Sequence, residues 1–147
     1  MRILLVILFL GGALPAVAES TINPLLPIIR LYTGEDGLTH FAENTVELEM
    51  KNYSPPTPPI AVSKRLPATD IAFATLPPGW FGDWHPAPRR QYVLMLKGRF
   101  EIETGDGDRR EFGAGTAFLV EDTDGQGHRT RVISNEPVVI AVVPSAP

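Results

Sequence analysis

The chain has 147 residues, no cysteine, 13 glycines, 15 prolines, 44% hydrophobic residues and a formal net charge of −4. One domain is what this length holds, and the acidic balance argues against nucleic acid as a main partner, because phosphate contacts need a basic face. Without a thiol, disulfide exchange and cysteine-ligated zinc are excluded, and the fold stands on its apolar core alone.

Arg2 supplies a short positive start, residues 3–10 are an unbroken apolar run, and Ala16, Val17 and Ala18 make the small-x-small pattern a signal peptidase accepts. The apolar stretch from Ile3 to Ala18 is shorter than the roughly 20 residues a helix needs to cross a bilayer. Residues 1–18 are therefore expected to be a signal peptide, with no stable membrane span after cleavage. No cysteine follows Ala18, so a lipoprotein anchor is excluded. The expected protein is secreted or periplasmic: residues 19–147, a single domain opened by an arm over residues 19–27.

Beyond the arm, the periods are those of strands. Ile28 to Tyr32 is a short strand candidate ended by Gly34, Asp36 and Gly37, and Thr45 to Met50 alternates apolar and acidic residues. Residues 53–59 carry four prolines, which cannot donate ladder hydrogen bonds, and predict an extended loop crossing between sheets. Strands are then expected over Ile71–Leu76, Gln91–Leu96, Arg99–Thr104, Arg109–Phe112, Thr116–Val120, His128–Ile133 and Val138–Val143. Asp106-Gly107 is a hairpin turn, and residues 121–127 read as a solvated acidic loop. Short strands at regular spacing, with no sustained 3.6 period, predict an all-β fold: a single antiparallel β-barrel or jelly roll.

In residues 79–98, Gly79, His85 and Gly98 fall on the first motif of the cupins, which reads G, five residues, H, one, H, three or four, E, six, G. Ala87 stands where that motif has its second His, and Gln91 stands where it has Glu. Gly115, Gly125 and His128 partly match the second motif, with Thr123 in place of its Pro and Val132 in place of its Asn. The segment Gly79–Val132 thus resembles a small single-domain cupin.

That resemblance implies a barrel with an interior pocket, and in cupins that hold a metal three His and one Glu point inward. Carried over position by position, it implies His85, Gln91 and His128 as ligands of a divalent transition metal, iron, manganese, nickel, copper or zinc. Gln91 is neutral and Ala87 offers no donor, so Asp83, Glu121, Asp124 or His40 would have to supply what is missing. Asp83 has the parity of His85 and is expected on the same face. The other reading of His85 and His128 is a metal-free pair held by hydrogen bonds. Beside them, Trp84 and Arg89, the latter in phase with Gln91, suit a carboxylate or sugar, whereas Trp80 and Phe81 are expected to fill the barrel end. Two functions follow: a metal-dependent enzyme acting on a small anionic molecule, or a metal-free binding module for a small carboxylate or sugar. A homodimer is the expected assembly.

Overall fold

The computed structural model describes residues 25–146. Along them run β1 (Leu25–Thr33), β2 (Thr39–Lys51), β3 (Ile60–Ser63), β4 (Ala72–Leu76), β5 (Phe81–His85), β6 (Gln91–Lys97), β7 (Arg99–Glu103), β8 (Arg109–Gly113), β9 (Ala117–Glu121), β10 (His128–Val132) and β11 (Val138–Pro144). The expected signal peptide lies outside the described residues, as does the arm up to residue 24. Leu25, Leu26 and Pro27, the rest of that arm, already belong to β1.

The strands form two sheets, one of seven in the order β3-β2-β1-β9-β6-β11-β4 and one of four in the order β5-β10-β7-β8. This is the all-β jelly-roll-like architecture that the strand spacing predicts. Every pairing is antiparallel except that of β1 with β9.

Gly98 makes the corner between the sheets. The chain leaves β6 in the large sheet and enters β7 in the small one through this residue, at φ 78°. A Cβ there would stand 2.9 Å from the Pro137 carbonyl oxygen and the Val138 Cα, so the turn needs glycine both for its dihedral and for the close approach.

The alternation along β1, β7 and β9 sends Leu31, Phe100, Ile102, Phe118 and Val120 between the sheets, where they join Met95, Val132 and Val138 in the buried core. Phe112 packs edge-on to Phe118 with centroids 4.8 Å apart and also meets Phe100 and Phe41. Truncating a ring such as Phe118 to alanine would cost about 3–5 kcal/mol, because the surrounding sheets can relax only partly into the space.

Two expectations change here. The proline-rich residues 53–59 join β2 to its own neighbour β3, paired from Leu48↔Ser63 to Lys51↔Ile60, rather than crossing between sheets. The acidic loop after β9 is not wholly solvated, since Asp122 is completely buried.

Candidate functional site

β5 and β10 pair antiparallel with His85 opposite His128 and Gly82 opposite Thr130. The two registers differ by one residue, so Asp83 and Trp84 together face Arg129 in a β-bulge. The bulge brings the His85 and His128 rings together, centroids 4.8 Å apart and planes at 50°, with His128 half-buried and His85 exposed.

The position of each proton follows from its partner. His85 Nδ1 lies 2.5 Å from the backbone carbonyl oxygen of Asp83, which can only accept, so Nδ1 carries a hydrogen and the neutral ring has its lone pair on Nε2. His128 Nδ1 lies 2.7 Å from Oδ2 of Asp122, with the same consequence. Asp122 also accepts a hydrogen bond from the Thr39 hydroxyl at 3.2 Å, and its backbone oxygen accepts from the Ala87 N–H at 2.8 Å. Its other carboxylate oxygen, Oδ1, is buried with no hydrogen-bond partner among the described residues.

Both rings border a cavity of about 160 Å³ between the sheets. Gln91 enters it from the start of β6 and Thr130 from β10, while Leu31, Trp80, Phe100, Phe118, Ile140 and Val142 make most of the wall. Ala87, at the position where the cupin motif has its second His, is buried and presents only a methyl group to this space. The interior is therefore mostly apolar, with His85, Gln91, His128 and Thr130 as its polar lining.

The structure brings His85, Gln91 and His128 to one cavity and leaves the other candidates outside it. Asp83 is on the bulge, so the parity that tied it to His85 is broken; its carboxylate accepts the Trp84 N–H. Trp84 stacks on the Arg129 guanidinium at 4.9 Å and does not line the cavity. Arg89 is exposed in the bend before β6, where strand alternation does not yet apply, so its phase with Gln91 does not turn it inward. Trp80 does fill the interior, but Phe81 faces outward beneath the Arg131 guanidinium.

The carboxylates proposed to complete a ligand set are engaged elsewhere or exposed. Glu121 bridges Arg30 and Arg90, the latter at 2.6 Å. Burial pushes its carboxyl up, yet the two guanidiniums outweigh that and hold it below the usual carboxylate range. Asp124 is exposed and contributes its backbone oxygen to Thr33. His40 is clamped at the other side of the turns, Nε2 on Asp36 at 3.0 Å and Nδ1 on Asp106 at 2.8 Å. The bond to Asp36 raises the His40 imidazole above its ordinary 6.5, and Asp106 adds to that against partial burial.

Asp122 is the site residue that sequence reasoning missed. Its neighbours Glu121 and Asp124 drew attention as charged loop residues, and the only signal for Asp122 was its place at the end of an apolar strand.

A jelly roll with an interior pocket between its sheets, bordered by histidines from two paired strands, defines the class of protein. A family model described as a cupin domain matches residues 72–144, which form a small cupin superfamily domain. It is similar to a cupin domain of Bordetella pertussis at 19% identity over 58% of this chain and 100% of that one, TM-score 0.43. It is likewise similar to a cupin 2 conserved barrel domain protein of Salinispora arenicola, at 18% identity over 69% and 76% of the two chains, TM-score 0.43. A third similar structure is described as a putative mannose-6-phosphate isomerase from Ralstonia eutropha, at 19% identity over 82% and 85%, TM-score 0.32. No curated protein matches the chain.

Cupins commonly bind divalent metals, so the donor set must be tested. Two imidazole nitrogens and a neutral amide supply no negative charge inside the cavity. Among the described residues no group of three or more His, Asp or Glu side chains is placed to hold an ion. With only two imidazole nitrogens and one weakly binding amide oxygen, this set does not fit a tightly resident transition metal, for which even open catalytic sites supply three strong protein donors.

Proposed function

We propose that this cupin binds a small, mostly apolar molecule, about the size of a single ring, whose one polar group meets His85 and His128 without a resident metal. The observation that carries the reading is the cavity itself: about 160 Å³ of largely apolar space bordered by two imidazoles in contact with each other. A dry cavity of about 150 Å³ with apolar walls is enough to take benzene. The anionic ligand expected from Arg89 loses its support, because Arg89 does not border this space. Export past a membrane, with cleavage after Ala18, and pairing into a homodimer complete the proposal.

The competing reading is an ion shared by His85, Gln91 and His128, the centre of a metal-dependent enzyme. Ring spacing favours it, since imidazoles bound to one ion through Nε2 at roughly 2.1 Å have centroids about 5 Å apart. The count of strong donors, two imidazoles and no third, opposes it.

Trp80 borders the cavity and reports on it. In a Trp84→Phe background, phenol is expected to change Trp80 fluorescence saturably in chelator-treated protein, and elemental analysis after anaerobic purification with added iron, manganese and zinc to find no stoichiometric metal. Stoichiometric metal that is lost in His85→Ala and His128→Ala would establish the competing reading instead.

A further inference from the structure

We infer that Asp122 is a positioning residue that locks neutral His128 in its Nδ1–H tautomer and thereby tunes the two-ring part of the pocket toward a ligand group that donates a hydrogen bond, a hydroxyl or amine on an apolar, ring-sized body. The inference rests on the pocket reading above and adds the ligand's hydrogen-bonding sense to it.

Three observations converge. Asp122 is completely buried, yet only one of its carboxylate oxygens is used, for His128 at 2.7 Å and Thr39 at 3.2 Å. Oδ1 has no partner among the described residues, so this carboxylate is costly to bury and contributes little to stability for its charge. What it does achieve is to leave neutral His128 a single tautomer, donor at Nδ1 and acceptor at Nε2. His85 is set the same way by the Asp83 carbonyl. In their neutral forms, both rings bordering the cavity therefore offer a lone pair at Nε2 and no hydrogen. A ligand group that only accepts, such as an ether or ketone, finds no donor on either ring, whereas a hydroxyl or amine satisfies one or both.

The orphaned oxygen also decides what Asp122→Asn does. An amide has one NH₂ and one oxygen, and the side left facing Oδ1 goes unpaired. An unpaired buried carbonyl is tolerated better than an unpaired N–H group, so the NH₂ turns toward His128 and Thr39. It then donates to Nδ1, and the His128 hydrogen moves to Nε2. The donor–acceptor sense of that ring reverses without change of shape.

The experiment is to read the side-chain nitrogens of His128 by ¹⁵N NMR in the intact protein above the imidazole titration range. The expected result is Nδ1–H in the native protein, Nε2–H in Asp122→Asn, and Nδ1–H retained in Thr39→Val, which removes the other donor to Asp122. In parallel, phenol is expected to bind native protein about tenfold or more tightly than anisole, because the two rings offer only lone pairs to the group that meets them, and the ratio is expected to collapse toward one in Asp122→Asn. Nε2–H in the native protein would overturn the assignment of Asp122 with no variant needed, even if Asp122→Asn failed to fold. Anisole binding as well as phenol would overturn the ligand class while leaving the pocket in place. If neither probe binds, the pocket reading fails, and with it the ligand class, while the tautomer result still decides the role of Asp122.

Discussion

Gly127 lies against the backbone of His85: a Cβ built on it would stand 2.0 Å from the His85 carbonyl oxygen. Its φ of 74° is also a conformation that side chains disfavour. The residue next to His128 is thus what allows β10 to approach β5 closely enough for the two imidazoles to face each other. Gly127→Ala should lower stability by at least about 2 kcal/mol, from strain plus displacement of β5. A melting temperature lower by about 5 °C or more is the expected reading for a domain of this size; an unchanged one would mean that the strands do not depend on this contact.

Arg89→Ala should leave ligand binding and stability unchanged, since Arg89 is exposed and makes no hydrogen bond or ion pair with the described residues. His85→Ala should weaken phenol binding about tenfold or more by removing one of the two ring acceptors. Parallel titrations of the two variants check the pair, and a loss in Arg89→Ala equal to that in His85→Ala would return the anionic-ligand reading to favour.

The His40 clamp gives a pH dependence with a definite sign. Its folded pKa lies above the ordinary 6.5, so its bonds to Asp36 and Asp106 stabilise fully below that value. That contribution should disappear as the pH rises through the folded pKa, lowering the melting temperature on the alkaline side. His40→Gln should flatten this limb of the curve. Because Asp36 is lowered by its bond to His40, the same clamp also weakens in acid as that carboxylate protonates, below its ordinary 3.8.

Most of the fold is legible in the sequence because strand periodicity is a local signal. Gln91 to Lys97, Arg99 to Glu103 and Val138 to Pro144 stand where alternation and turn residues place them. β3 and β5 carry no such local signal: β3 is a four-residue edge strand behind prolines, and β5 is interrupted by its bulge. The site was legible where it repeats motif spacing, at His85, Gln91 and His128. It was not legible where one inserted residue reverses a parity, as at Asp83, or where a bend precedes a strand, as at Arg89. Asp122 depends on contacts with Thr39 and Ala87, far away in sequence, and no local pattern announces those.

Phe73 is the most exposed large apolar side chain among the described residues, 70% accessible, and it sits on β4 at the edge of the large sheet beside exposed Ile71. If pairing of two copies uses this edge, Phe73→Asp should shift the sedimentation profile toward monomer without lowering the melting temperature. An unchanged profile would place any self-association elsewhere.

The most direct test of the pocket itself is a ¹H–¹⁵N titration of chelator-treated protein with phenol. Saturable shifts are expected to concentrate on His85, His128, Trp80 and Ile140, with Arg89, Trp84 and His40 unmoved. Shifts that appear only after a divalent metal is restored, or that fall on the outer faces of the sheets and spare the two imidazoles, would contradict a metal-free interior binding site.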